Sequence, residues 1–419
     1  MELSVQHPSV NDRTVRHKPT DNDRKRQRIL LLKLHEQTKH RRPQRAPGRA
    51  LAPAQSCLRR LWLASVVCTS VLAISSASAL ATRNVILVTL DGLRWQEVFS
   101  GADEQLLTNQ RYVSNTAGLK EQFWAQDPKV RRKILLPFLW TRVAEQGQLY
   151  GNRDQQNQVN LSNNVRISYS GYNELLAGHA DDKRISRNRK RYNPNITVLE
   201  FANRQPGFQG RVACFGSWYL FPWIINEPRS GVRVNAGLRE AVVSPLSQHE
   251  LFLNDLQRQI PAPWHGVRMD AFTHQYALED LKKYRTRLTF IAFGETDEYA
   301  HDGRYDNYLL AAQRNDAMLR ELWQWVQSTA GYRNKTTLLI TTDHGRGSGR
   351  QWRDHGARVP GSEAVWLAAI GPDSSPHGEV TTATTLTLAQ VAATISNLLG
   401  LSGFGSEVPV ARPIASILQ

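Results

Sequence analysis

Apolar residues in this chain fall into short runs that stop at acidic residues. Val85-Ile86-Leu87-Val88-Thr89-Leu90 ends in Asp91-Gly92. Leu288-Thr289-Phe290-Ile291-Ala292-Phe293 leads within a few residues to Asp297. Thr337-Leu338-Leu339-Ile340-Thr341-Thr342 ends in Asp343-His344-Gly345. Runs this short, this uniformly apolar and this rich in branched residues read as strands buried on both faces of a parallel sheet. Between them the period changes to that of helices. Phe138 to Gly147 reads as a helix closed by glycine. Arg304 to Gln327 reads as a long helix, with apolar positions at Leu309, Leu310, Met318, Leu319, Leu322 and Trp325. Val365 to Ile370 reads as a further strand, and Thr387 to Leu399 as a terminal helix closed by Gly400. The alternation predicts an α/β fold. The stretch 218–274 is less regular. It carries Trp218, Trp223 and Trp264 with Phe221 and Phe252, and reads as an inserted, cap-like segment beside the sheet. No internal repeat is visible.

Strand ends decide where chemistry can sit. In open α/β sheets, ligands bind beyond the carboxyl ends of the strands. The three runs therefore bring Asp91, Asp297 and Asp343 to one edge. Carboxylates crowded there repel unless cations lie between them. His301 stands four residues after Asp297, so on a helical turn both share one face, as metal ligands must. His344 follows Asp343 directly, and His355 lies ten residues beyond Gly345. Each feature alone is commonplace: a turn, a solvated pair, a surface histidine. Their combination in this order predicts a metal site built for two ions.

Ser168 lies in Val165-Arg166-Ile167-Ser168-Tyr169-Ser170-Gly171-Tyr172-Asn173-Glu174-Leu175-Leu176-Ala177-Gly178, a loop leading into a short helix that ends at glycine. A serine there is ordinarily a helix cap. The same position suits a nucleophile, because the helix dipole and a nearby cation both favour the alkoxide.

The order Asp-Gly, serine loop, Asp-x-x-x-His, Asp-His-Gly and late His resembles the alkaline phosphatase superfamily. That group holds alkaline phosphatases, nucleotide pyrophosphatase/phosphodiesterases, sulfatases and cofactor-independent phosphoglycerate mutases. Within it the chain is most similar to bacterial alkaline-phosphatase-like periplasmic proteins related to type I phosphodiesterases. The resemblance covers residues 84–400. It rests on Asp91-Gly92-Leu93-Arg94-Trp95-Gln96-Glu97-Val98-Phe99, Gly294-Glu295-Thr296-Asp297 and Trp352-Arg353-Asp354-His355-Gly356. It implies an alkaline-phosphatase-like fold, a mixed, mostly parallel sheet sandwiched by helices. It also implies two divalent ions, of which Zn2+ suits Asp and His ligands. One ion would be held by Asp91, Ser168, Asp343 and His344, the other by Asp297, His301 and His355. In the family the nucleophile stands ten positions before a helix-ending glycine, which here makes it Ser168. The implied activity is hydrolysis of a small phosphate ester, mono- or diester, through a phospho-serine. The alternatives are a mutase, a phosphonate or sulfate ester hydrolase, and an inactive binding protein. Tyr169-Ser170-Gly171-Tyr172 lacks the x-Pro-x-Arg that formylglycine sulfatases need after the modified residue. An oxyanion-binding asparagine is open among Asn173, Asn188, Asn193 and Asn195. A cation for the transferred group is open among Arg94, Lys183 and Arg184.

Charge changes the picture mainly at the N-terminal end. The 419 residues carry a net charge of +16. Residues 1–81 hold 15 Lys and Arg against 5 Asp and Glu, leaving 38 against 32 for residues 82–419. A long nucleic-acid groove is therefore not indicated. Residues 1–60 read as a basic, disordered leader. Arg59-Arg60, the apolar run Leu61–Ile74 and the small residues through Ala81 form a signal-peptide pattern at 61–81, with cleavage after Ala79 or Ala81. The apolar run is shorter than the ~20 residues of a spanning helix, so an uncleaved anchor is the second reading. A misassigned start near Arg59 would explain the long leader. Residues 82–419 then form an exported domain, periplasmic or secreted. Cys57 and Cys68 belong to the leader, so Cys214 stands alone after it and reads as inert core. The aromatic residues of 218–274 either line a pocket for an apolar leaving group or form that segment's own core.

Overall fold

The three apolar runs become neighbouring parallel strands in the middle of one sheet. The structure is a computed structural model and describes residues 80–418. The expected leader, the signal or anchor segment up to residue 79, and Cys57 and Cys68 lie outside the described residues. The strands are β1 (Asn84–Leu90), β2 (Gln148–Tyr150), β3 (Asn157–Asn160), β4 (Val212–Gly216), β5 (Arg233–Ala236) and β6 (Leu288–Phe293), followed by β7 (Thr336–Thr341), β8 (Ala364–Val365), β9 (Leu367–Ile370), β10 (Gly378–Glu379) and β11 (Thr384–Thr387). The main sheet has the order β10-β2-β9-β7-β1-β6-β4-β5, and a small sheet has the order β11-β3-β8. The run from β7 to β5 is parallel throughout, while β9 is antiparallel to both β7 and β2. The sheet is thus mixed and mostly parallel.

Burial on both faces explains the unbroken apolar runs. Every residue of β1, β6 and β7 is buried. Successive side chains alternate between two cores. Ile86, Val88 and Leu90 join Ile291, Phe293, Leu338 and Ile340 on one face, with Leu309, Leu319 and Leu322 of the long helix. Val85 and Leu87 join Phe290, Ala292 and Leu339 on the other, with Leu175, Leu176 and Ile395. Each such side chain contributes roughly 1.5–3 kcal/mol by leaving water. Register fixes the strand ends: Leu90 pairs with Phe293, and Thr89 with Thr341. The residues that follow must emerge side by side.

The helices that matter for the site are α1 (Ser168–Ala177), α2 (Gln248–Gln259), α3 (Asp270–Tyr284), α4 (Glu295–His301), α5 (Tyr305–Ser328) and α6 (Gln390–Leu398). One expectation needs correction. The run Val365–Ile370 is not one strand: it breaks at Trp366, β8 pairing with β3 and β9 with β7. The Trp366 indole turns inward and donates to the Leu93 carbonyl at 2.9 Å. The helix expected from Phe138 is present and closed by Gly147, with a π-helical turn over Leu139–Val143 continued by Ala144–Gln146. The stretch 218–274 supplies β5, the parallel edge strand beside β4, together with α2. Cys214 is fully buried in β4, and burial pushes its thiol well above the usual range. Among the described residues no helix is long and apolar enough to cross a membrane.

Candidate metal centre

Asp91 is the first residue past β1, and its two oxygens have different surroundings. Oδ2 accepts from the Tyr172 hydroxyl at 2.8 Å, while Oδ1 is buried with no hydrogen-bond partner. Asp343, just past β7, repeats the pattern. Its Oδ1 accepts from the Gly92 N–H at 3.2 Å, and its Oδ2 is buried and unpartnered. Both bare oxygens face the Nε2 of His344, at 3.3 Å from Asp91 Oδ1 and 3.6 Å from Asp343 Oδ2. An unpaired carboxylate oxygen is costly in a buried place. The arrangement fits a cation that all three groups would share.

The histidine tautomers agree with that fit. His344 Nδ1 lies 3.1 Å from the Gly345 carbonyl, and His355 Nδ1 lies 3.1 Å from the Arg166 carbonyl. A carbonyl accepts only from a protonated nitrogen, so these bonds assign the proton to Nδ1 and leave each Nε2 lone pair free. Arg166 has its backbone in the left-handed region, φ 56°, which aims that carbonyl. Burial lowers both imidazole pKa values, so both rings are neutral, as ligands must be. For His355 the neighbouring His344 adds to the effect.

Asp297 and His301 come from α4, which starts two residues after β6 ends. The i, i+4 spacing places Asp297 Oδ2 3.3 Å from His301 Nε2. His301 Nε2 in turn lies 3.1 Å from His355 Nε2. Six of the seven residues singled out in the sequence therefore gather in two adjoining groups. In each triad, Asp91-Asp343-His344 and Asp297-His301-His355, the ligand atoms lie within 4.8 Å of one another. The groups touch: the His344 and His355 rings stack with centroids 3.8 Å apart, and His344 Nε2 is 3.6 Å from Asp297 Oδ1. Crowding appears in the carboxyl groups. Burial first, then the Asp343 carboxylate, pushes Asp91 well above the usual range, and burial pushes Asp343 up to about 7.

Ser168 is the first residue of α1 and stands beside this cluster, its Oγ 3.4 Å from His344 Nε2. It is not the helix cap. Ile167 holds that position, and the Ser170 hydroxyl accepts from the Ile167 N–H at 3.2 Å. The Ser168 hydroxyl is thus left for the cavity of about 170 Å³ lined by Asp91, Ser168, Asn188, Trp218, Asp297 and His355. Two glycines allow this closeness. A Cβ on Gly171 would fall 2.0 Å from the Asp343 carbonyl oxygen, so α1 could not pack on the end of β7. Gly92 has φ +59°, and a Cβ there would lie 2.7 Å from Arg346 Nε.

Position in the fold separates several of the open choices. Of the four asparagines, Asn188 lines the cavity. Its Oδ1 accepts from the Tyr169 N–H at 3.0 Å, which leaves Nδ2 as a donor. Asn173, Asn193 and Asn195 are buried and bonded within the protein. Arg94 is fully buried, pairs with Glu97 and donates to the Gly347 carbonyl. Arg184 pairs with Asp181 at 2.6 Å. Of the aromatic residues from 218–274, Trp218 lines the cavity. Phe221 packs on Tyr172 and Phe290 in the core, and Phe252 is exposed on α2. Trp264 lies against Tyr299 and donates to Asp302 at 2.9 Å. Trp223 stacks on Tyr192.

Two residues went unread in the sequence. Tyr172 is four positions after Ser168, hence on the same face of α1, a signal the sequence did contain. Arg346 is fully buried, touches the Asp297 carboxylate and donates to the carbonyls of Gly92 and Arg353. Nothing local marks it.

Residues 268–403 match the family described as the Metalloenzyme superfamily. A 2,3-bisphosphoglycerate-independent phosphoglycerate mutase from Thermomicrobium roseum is 28% identical over 240 residues, covering 51% of this chain and 42% of that protein. The match thus spans less than half the length of this curated relative. Among solved structures, the wild-type alkaline phosphatase PafA superposes with a TM-score of 0.52 at 9% identity, covering 81% of this chain and 99% of that one. The lipoteichoic acid synthase LtaP from Listeria monocytogenes gives 0.51 at 12% identity, covering 81% and 76%. The phosphonate monoester hydrolase SpPMH from Silicibacter pomeroyi gives 0.51 at 13%, covering 80% and 76%. At such identities the likeness is one of fold. The likeness in fold, the family match over residues 268–403 and the two ligand groups agree on an alkaline-phosphatase-like fold whose grouped residues could hold divalent metal.

Proposed function

We propose that the protein hydrolyses small phosphate esters, mono- or diesters, with Ser168 as nucleophile and two divalent ions, Zn2+ by ligand type, as cofactors. The observation that carries this reading is the uncapped Ser168 hydroxyl beside two unpartnered carboxylate oxygens and three converging imidazole nitrogens. Asp91, Asp343 and His344, with Ser168, would hold one ion, and Asp297, His301 and His355 the other. Bound there, such ions supply the positive charge that lowers a hydroxyl pKa and neutralises a departing oxygen.

The chain's own groups have the following roles. Tyr172 and the Gly92 N–H hold the outer oxygens of Asp91 and Asp343, so the inner ones point at the site. Asn188 Nδ2 donates to a phosphoryl oxygen. Ser168 Oγ forms the bond to phosphorus as the ester P–O bond breaks, and water later cleaves the phospho-serine. Trp218 forms the wall against which the leaving group sits. Ser168 is followed by Tyr169-Ser170-Gly171-Tyr172, which argues against formylglycine chemistry. Export follows from the signal-peptide pattern at 61–81.

Turnover tests the reading. A metal-loaded protein should release nitrophenol from 4-nitrophenyl phosphate or bis(4-nitrophenyl) phosphate. Turnover of a phosphonate or sulfate ester alone would redirect the assignment, and no turnover of any would support a binding protein.

A further inference from the structure

Between the nucleophile helix and β4 runs a loop in which six of nine residues are cationic: Lys183, Arg184, Arg187, Arg189, Lys190 and Arg191. Such a run is ordinarily a solvated face. Three observations set this one apart. The first is balance. Residues 82–419 hold 38 Lys and Arg against 32 Asp and Glu, so without these six the region would be neutral. The second is pairing. Several surface arginines elsewhere have carboxylate partners, as in Arg229–Glu200, Arg233–Asp280, Arg239–Glu227 and Arg258–Glu240. In the loop only Arg184 has one, Asp181, among the described residues. The other nearby carboxylate, Asp182, accepts from Asn164. Five cations are left exposed without a counter-charge.

The third observation is place. Asn188, in the middle of the run, lines the cavity that holds Ser168 and the metal ligands. It is tied to the Tyr169 N–H, so the loop is fixed at the cavity mouth. Lys190 is held too, 5.1 Å from the Tyr219 ring and 5.5 Å from the Trp223 ring. Tyr219 packs edge-on against Trp218, which lines the same cavity. A continuous wall thus leads from the reacting centre to the unpaired cations. Cations left unpaired around a concave site raise the local concentration of anions.

We propose that residues 183–191 form a cationic rim that selects esters carrying anionic groups beyond the scissile phosphate. This deepens the phosphate-ester reading and rests on it. The ester's reacting phosphorus sits at Ser168, and its further phosphates or carboxylates meet Arg187, Arg189, Lys190 and Arg191.

The test replaces these four residues with glutamine (Arg187→Gln, Arg189→Gln, Lys190→Gln, Arg191→Gln) in the metal-loaded protein. Circular dichroism and metal content confirm that fold and ligands are kept. Equilibrium binding of ATP and of inorganic tripolyphosphate is measured by calorimetry. kcat/KM is measured for ATP and for 4-nitrophenyl phosphate at low and high salt. The rim predicts that binding of both polyanions weakens about tenfold or more, as loss of several unscreened charges requires. kcat/KM for ATP should fall in parallel and lose its salt dependence, while that for 4-nitrophenyl phosphate stays within about twofold. Unchanged polyanion binding would overturn the rim, as would an equal loss with both esters. Absence of turnover in the wild type would strike the phosphate-ester reading instead, and the binding arm would still decide the rim.

Discussion

At the scale of single residues, four of the ligands are given two contacts of different kinds. Asp91, Asp343, His344 and His355 each use one polar atom to bond the protein and leave the other for the centre. Such anchoring fixes orientation before any ion arrives, and losing an anchor of this type commonly costs 10–100-fold in metal affinity or activity. Ser168 differs: among the described residues only the His344 ring lies within hydrogen-bond distance of its hydroxyl. That freedom is what a nucleophile needs. Ser168→Ala should therefore lower turnover on the order of 10³-fold or more, while metal content stays near that of the wild type because the six remaining ligands persist. Steady-state kinetics with metal analysis on one preparation would show this. Near-normal turnover with full metal would remove Ser168 from the role.

At the scale of elements, the short helix α4 is the vulnerable part. It carries Asp297 and His301, and its N-terminus is held from outside by Asp270 of α3. Asp270 Oδ1 accepts from the Gly294 N–H at 2.7 Å, and Oδ2 from the Glu295 N–H at 3.2 Å. Asp270→Ala would leave these buried donors without acceptors, at about 1–3 kcal/mol each. It should weaken the Asp297-His301-His355 group far more than the Asp91-Asp343-His344 group. A metal titration would then show one weakened site beside one near-normal site. Equal weakening of both would mean that Asp270 supports the fold in general. A second buried aspartate sets a pH dependence. Asp316 of α5 accepts from the Phe138 and Leu139 N–H groups at 2.7 and 2.9 Å. Burial pushes its pKa from 3.8 up to about 7. A raised folded-state pKa means the folded chain holds the proton more tightly. The stability this gives is complete below pH 3.8 and is lost as pH rises through about 7. Asp316→Asn should flatten the stability profile between those limits, in denaturant titrations against wild type. Below that window, where wild-type Asp316 is protonated, the variant should be about 1 kcal/mol less stable, since one backbone donor loses its acceptor. A profile parallel to wild type would contradict the assignment.

These elements also show how far the sequence could be read. The strands β1, β6 and β7 were legible because burial on both faces forces an unbroken apolar run, and their acidic ends followed. The Asp297–His301 pair was legible because four residues make one helical turn. What stayed hidden depends on contacts distant in sequence. Asp270 reaches α4 from another helix, Arg346 meets Asp297 across 49 positions, and the break at Trp366 follows from its indole reaching Leu93. No periodicity encodes such meetings. Asn188 could be counted among four asparagines but not chosen until the loop closed onto Tyr169.

At the scale of the whole molecule, the strand order β7-β1-β6 makes the site, since it sets Asp343, Asp91 and Asp297 side by side at one edge. Without cations these carboxylates, crowded beside the neutral His344 and His355 rings, are an uncompensated group in the middle of the fold. Metal should therefore stabilise the entire domain, by about 2.7 kcal/mol per site when free metal is 100 times Kd. The central claim is that two ions share this centre through separate triads, and native mass spectrometry of the zinc-supplied protein tests it most directly. The account predicts two ions per wild-type chain. It predicts one in His301→Ala with His355→Ala, one in Asp343→Asn with His344→Ala, and a fall in melting temperature on chelation. A wild type that takes up no ion, or variants that all keep the wild-type stoichiometry, would contradict it.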